Sequence, residues 1–231
     1  MPFRNPNQVD SILSRGRESL LSTHVVLRNT YMLLGLTLIF SGITAAFAMV
    51  TGATMPSGIS GALFFFVGAY GLLFLTQSLR NSAWGLLSIF AFTGFMGYTL
   101  GPLLNAVMQM SNGSDIIMTS LGGTGLTFVG LSAYALTTKK DFSFLTGFVV
   151  AGCIVAMVAI IAGIFIHAPA FHLAISAGIM LLSCALILWH TSAIIHGGER
   201  NYIMATIGLY LQIYNLFVSL LHILSALNNR D

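Results

Sequence analysis

Seven apolar stretches, each long enough to cross a bilayer, constrain this chain more than any other feature. They occupy residues 27–50, 60–78, 83–108, 116–137, 144–166, 170–194 and 203–227. A helix needs about 20 apolar residues to span a hydrocarbon core of roughly 30 Å. Lipid offers no hydrogen bonds, so the backbone must satisfy itself inside each segment, and helices do this. The expected fold is an all-α membrane protein, a seven-transmembrane-helix bundle. Composition agrees: 6% of residues are charged and 56% hydrophobic, whereas a soluble domain carries about 25% charged residues. Short breakers such as Met55-Pro56-Ser57-Gly58 and His196-Gly197-Gly198-Glu199 separate the stretches. No linker is long enough to divide residues 27–231, which read as one transmembrane domain. Residues 1–26 are polar, mixed in charge and carry Pro2 and Pro6, so they read as a loosely ordered tail reachable by soluble partners.

Basic residues set the orientation. Arg4, Arg15, Arg17, Arg28, Arg80, Lys139, Lys140 and Arg200 fall on one side of the alternating segments, and Arg230 alone falls on the other. The positive-inside rule places the N-terminus in the cytoplasm and Asp231 outside. The +3 formal charge gives no nucleic-acid footprint, because these residues lie between apolar runs rather than in a patch with aromatics. Residues 1–26 lack the apolar core of a signal peptide.

Several chemistries find no support. Cys153 and Cys184 sit in apolar segments, without disulfide or metal spacing, and read as small core hydrophobes. No HExxH motif occurs, and no acid lies at a depth where it could orient a Ser/His pair, so no catalytic residue, metal ligand or cofactor is expected. Gly122-Gly123-x-Gly125 has no preceding strand and no following lysine, which makes packing its reading. Gly94, Gly97 and Gly101 adjoin on one helix face, and the latter two form a small-xxx-small pair that admits a close neighbour. Asn112-Gly113-Ser114 matches a glycosylation sequon, relevant only in a secretory compartment.

With no carboxylate deep in any segment, the polar content of interest lies in the last helix. Gln212, Asn215, Ser219 and His222 recur at steps of three, four and three, and Gly208 extends the row. Such a stripe belongs against protein or a wet cavity rather than lipid. His190, a turn from the end of the preceding antiparallel helix, is expected to approach Gln212. His190, Gln212, Asn215, Ser219 and His222 are the pore and pH-sensing candidates, because histidine changes charge nearest neutrality; interhelical hydrogen bonding is the plainer reading. His172 and His222 lie near the outer interface, and His24 and His196 read as solvated loop residues.

A longer ordered pattern runs through Ser19-Leu20-Leu21-Ser22-Thr23-His24, Leu27-Arg28-Asn29-Thr30-Tyr31, Ala91-Phe92-Thr93-Gly94-Phe95 and Gly101-Pro102-Leu103-Leu104-Asn105. It continues in Ser132-Ala133-Tyr134, the stretch from Thr137 through Lys139-Lys140-Asp141 to Leu145, His172 to Ser176, Ile195 to Glu199, and Leu209-Tyr210-Leu211-Gln212 to Phe217. In these residues the chain resembles the Bax-inhibitor family, and most nearly its bacterial YccA-type branch, over nearly everything after residue 18. The resemblance implies a last helix surrounded by the other six. It also implies two functions: an inner-membrane partner, slow substrate and modulator of the FtsH protease, or a pH-sensitive calcium leak gated by an aspartate pair. This chain departs from the second pattern, with His190 and Gln212 at the two aspartate positions. Calcium takes six to eight oxygen ligands and favours carboxylates, whereas this pair offers one carbonyl oxygen and no negative charge.

Overall fold

The computed structural model describes residues 6–228 except 55, 57 and 167, with side chains from residue 23 onward. Arg4, Arg230, Asp231, and the breaker residues Met55 and Ser57 lie outside the described residues, as do the side chains of Arg15 and Arg17. The described residues form seven α-helices: α1 (Pro6–Val50), α2 (Ile59–Leu79), α3 (Ala83–Met108), α4 (Gly113–Thr138), α5 (Thr146–Phe165), α6 (Pro169–Ile195) and α7 (Tyr202–Asn228). All seven are long and apolar enough to span a membrane, the first over Thr23–Val50. The segment read as loosely ordered is instead helical from Pro6 onward, continuous with α1. Its composition hid this, but Val9, Ile12 and Leu13 keep helical spacing and Pro6 suits a first helical position.

Burial ranks the helices in an order that hydropathy does not give. Of the membrane window of α3, 56% is buried, and of α7, 50%, against 6% in α2 and in α5. Helix α7 packs on α1, α3, α4 and α6, while α2 leans on α3 and α5 on α6. The central last helix therefore shares the core with α3. Two apolar clusters follow α7. Leu34, Ile89, Phe92, Ile203 and Leu209 belong to one, and Ala45, Leu104, Ile116, Phe217 and Leu221 to the other.

Buried hydroxyls are satisfied locally. Thr93 donates to Ile89 O at 2.9 Å, Ser120 to Ile116 O at 2.8 Å and Thr124 to Ser120 O at 2.7 Å, the back-bonding that lets polar side chains sit inside a helix bundle. Small residues close the α1–α3 contact. A Cβ at Gly97 would lie 2.2 Å from Ser41 O, one at Gly101 2.4 Å from Ala48 Cβ, and one at Gly94 2.7 Å from Phe40 Cε1. Of the other glycine run, a Cβ at Gly123 would lie 3.3 Å from Leu220 Cδ1, while Gly122 and Gly125 face open space. Cys153 is exposed on the lipid-facing helix α5 rather than in the core, and both thiols are free.

The two ends of the bundle differ. At one end, Asn201 Nδ2 donates to Arg80 O at 3.0 Å, and His196 Nε2 lies 3.2 Å from Lys139 O. This basic end also holds the start of the α1 span, since a Cβ at Gly197 would lie 4.0 Å from Thr23 Oγ1. At the other end, Asn112 Nδ2 donates to Asn228 Oδ1 at 3.1 Å, so the two chain ends of the bundle lie on opposite faces.

Candidate functional site

The polar stripe runs along α7, which packs on α1, α3, α4 and α6, and the structure divides it between two cavities. Gln212 is buried, and its Oε1 has no hydrogen-bond partner. It faces a cavity of about 280 Å³ toward α2 and α3, walled by Phe65, Tyr70, Phe92 and Met96. Ser219 and His222 border a second cavity of about 660 Å³ toward α5 and α6, together with His172, Ser176 and Ser225. Asn215 borders both. Nearly three helical turns thus carry a polar row from an aromatic chamber in the core to a wide recess at the end opposite the basic one.

His190 packs at the Gly208 end of this row. Its ring covers Gly208, where a Cβ would lie 2.5 Å from His190 Cε1, and it meets Trp189 edge-on at 5.0 Å. Gly208 lies about one turn from Gln212 toward the basic end. The glycine seats the imidazole against α7, and Gln212, one turn further along, lines the cavity toward α2 and α3.

Three features of the site region carry weaker sequence signals. Tyr210, 1% exposed, joins three helices: its hydroxyl lies 2.7 Å from Ser41 Oγ on α1 and donates to Thr93 O on α3 at 3.3 Å. Only its place beside Gln212 in the Leu209-Tyr210-Leu211-Gln212 pattern pointed to it. Asn201 caps α7, accepting from Ile203 N at 3.0 Å and Met204 N at 3.1 Å; an Asn one residue before an apolar run is an N-cap signal. His196, read as a solvated loop residue, is exposed yet straps the basic end, with Nδ1 2.9 Å from Ser192 O and Nε2 on the Lys139 carbonyl.

Ser192 extends that strap by accepting from Phe142 N at 2.9 Å. Beside it, the Ser143 N–H donates to Asp141 Oδ1 at 2.9 Å and holds this carboxyl below its ordinary pKa. The Asp141 contact is therefore complete above the usual carboxylate range and is lost as pH falls through the lowered pKa.

Chemically, the site offers amides, hydroxyls and imidazoles in apolar walls. Among the described residues, no three His, Cys, Asp or Glu side chains are grouped to hold a metal ion.

Comparison with known proteins adds an independent line. The family described as "Inhibitor of apoptosis-promoting Bax1" matches residues 23–230. The protein named "Modulator of FtsH protease YccA" of Escherichia coli K12 is 54% identical over 211 residues, 91% of this chain and 94% of that protein. "Inner membrane protein YccA" of Escherichia coli O6:H1 is similar to the same extent, 54% over 211 residues. An uncharacterized Pseudomonas aeruginosa protein is 58% identical over 165 residues, 71% of this chain and 74% of its own length.

Proposed function

Because the chain belongs to the Bax-inhibitor family, we propose that it is a non-enzymatic inner-membrane protein that binds and modulates the FtsH protease complex and is degraded by it. The observation that carries this reading is the 54% identity, over 91% of the chain, to a protein named as a modulator of that protease. The N-terminus is cytoplasmic and the C-terminus outside, as the basic asymmetry requires.

The first helix supports the same reading. From Pro6 to the start of the span at Thr23, α1 continues for about 25 Å at 1.5 Å per residue. A helix of this length, with Gly16 and several serines, is marginal unless packed, so it unwinds readily for a processive protease. Pull-down from native membranes in mild detergent should recover the protease. Deleting residues 1–18 should lengthen the protein's lifetime several-fold while leaving membrane insertion intact. A protease-free pull-down would overturn the binding, and an unchanged lifetime would overturn the handle.

A second reading, a pH-sensitive calcium or cation leak, is favoured by one observation: Asn215 joins the Gln212 chamber to the recess around His222. The native residues lack the charge that calcium prefers. In liposomes the unmodified chain should pass calcium poorly, whereas the double variant His190→Asp, Gln212→Asp should pass it in an acid-sensitive manner. Strong calcium flux through the native chain, lost in His190→Ala, would promote the leak to first place.

A further inference from the structure

A seam runs between α1 and α4. Both helices pack on α7, but they do not pack closely on each other. Along α1, Arg28, Tyr31, Gly35, Leu38 and Gly42 recur at steps of three and four, which makes one continuous stripe facing this seam. At its basic end is an open cavity of about 530 Å³ lined by His24, Arg28 and Tyr31 of α1 and Leu136 of α4. Deeper lies an apolar cavity of about 290 Å³, with Gly42 and Ala46 on one wall, Ile117 and Leu121 on the other, and Ile213 of α7 on its floor. Tyr31 and Phe128, with ring centroids 6.1 Å apart, stand between the two.

We propose that this seam binds one anionic phospholipid, its phosphate at His24 and Arg28 and one acyl chain laid along α1 toward Gly42.

Charge, polarity and length all favour that occupant. Arg28 is exposed and forms no ion pair among the described residues. It sits at the membrane edge, where basic pockets between helices take anionic headgroups. Tyr31, one turn inward from Arg28, lines the same cavity, and its hydroxyl is buried without a hydrogen-bond partner, an unsatisfied donor beside the level of a lipid's glycerol esters. Beyond it the wall is apolar, and a Cβ at Gly42 would touch nothing within 4 Å. One leaflet of hydrocarbon is about 15 Å deep, half the bilayer core. Arg28 to Leu38 spans about the same distance along the helix, so a tail anchored at Arg28 ends at the mouth of the apolar cavity. A soluble anion would leave that cavity empty.

The test uses the full chain in phosphatidylcholine vesicles doped with a phosphatidylglycerol probe that carries a photoreactive group near the end of one acyl chain. Labelling should concentrate on residues 38–46 and 117–121, several-fold above the lipid-exposed Ile154 and Val158 of α5. Arg28→Gln should reduce it to the α5 level, Arg28→Lys should restore most of it, and Gly42→Phe should displace the label from the seam. Thermal unfolding of each variant verifies that the bundle is intact. The phosphatidylcholine analogue of the probe should label the seam no more than α5, and inorganic phosphate should leave the phosphatidylglycerol signal unchanged. Equal labelling by the two probes, insensitivity to Arg28→Gln, displacement by inorganic phosphate, or crosslinking of the seam to a protein would each overturn the proposal.

Discussion

Replacing Gly97 with leucine should lower the thermal stability of the detergent-solubilised protein by about 3 kcal/mol or more, the upper range for overpacking a core. Even the first added carbon would lie 2.2 Å from Ser41 O and 2.3 Å from Thr44 Oγ1. A backbone carbonyl cannot swing aside, and Thr44 is itself tied to that carbonyl at 2.9 Å. The α1 and α3 axes must therefore separate, which weakens the Gly101–Ala48 contact and strains the Ser41–Tyr210 bond. Gly42→Leu is the matched control, because a side chain at Gly42 begins in open space; it should change stability little. Gly94→Ala should fall between, since its obstacle is a Phe40 ring that is 38% exposed and can turn. Unfolding curves in one detergent decide the matter. Equal midpoints for Gly97→Leu and Gly42→Leu would mean that the α1–α3 approach is not what limits stability.

Tyr210→Ala should cost about 3–5 kcal/mol, the range for emptying a buried aromatic site, and Tyr210→Phe well under half of that. The ring is 1% exposed and meets Phe92 edge-on at 6.0 Å. Its volume therefore fills the junction of α1, α3 and α7, and its loss leaves a cavity with no lipid to fill it. The hydroxyl accepts from Ser41 and donates to Thr93 O, but a hydrogen bond inside a membrane bundle averages only about 0.6 kcal/mol. Measuring both variants separates the two contributions. Equal losses would show that the hydroxyl network, rather than the ring, holds the three helices together.

The seven spans were legible because lipid imposes a length and a polarity that any crossing helix must meet. All but the first begin and end within a few residues of the apolar stretches. Which helices lie inside was not legible, because helices in a bilayer associate through close packing and hydrogen bonds rather than through hydrophobicity. Helix α5 has the highest mean hydropathy, 2.8, and only 6% burial, whereas α3 has 1.4 and 56%. Half of the buried residues of α3 are glycine, serine or threonine set among larger apolar groups, and hydropathy discounts them. The stripe on α7 was legible for a related reason: period alone defines a face. Spacing says nothing about how two helices are rotated against each other, so it could not seat His190 on Gly208 or turn Gln212 toward α3. His196 was missed because a helix-end position gives no hint that the Lys139 carbonyl, from the far side of α5, meets its ring beside the Ser192 carbonyl of its own helix.

The place of α1 in the bundle has a mechanical consequence. A machine that grips the segment near Pro6 and pulls along the chain reaches α1 before any other span. That helix interlocks with α3 at Gly94, Gly97 and Gly101 and is pinned to α7 through Ser41. The first step of extraction is then the one that opposes the motor most. Helices such as α5, held by a single neighbour, come later and resist little. An order of this kind makes engagement reversible and removal slow, since a motor that stalls at α1 releases a chain that is still folded.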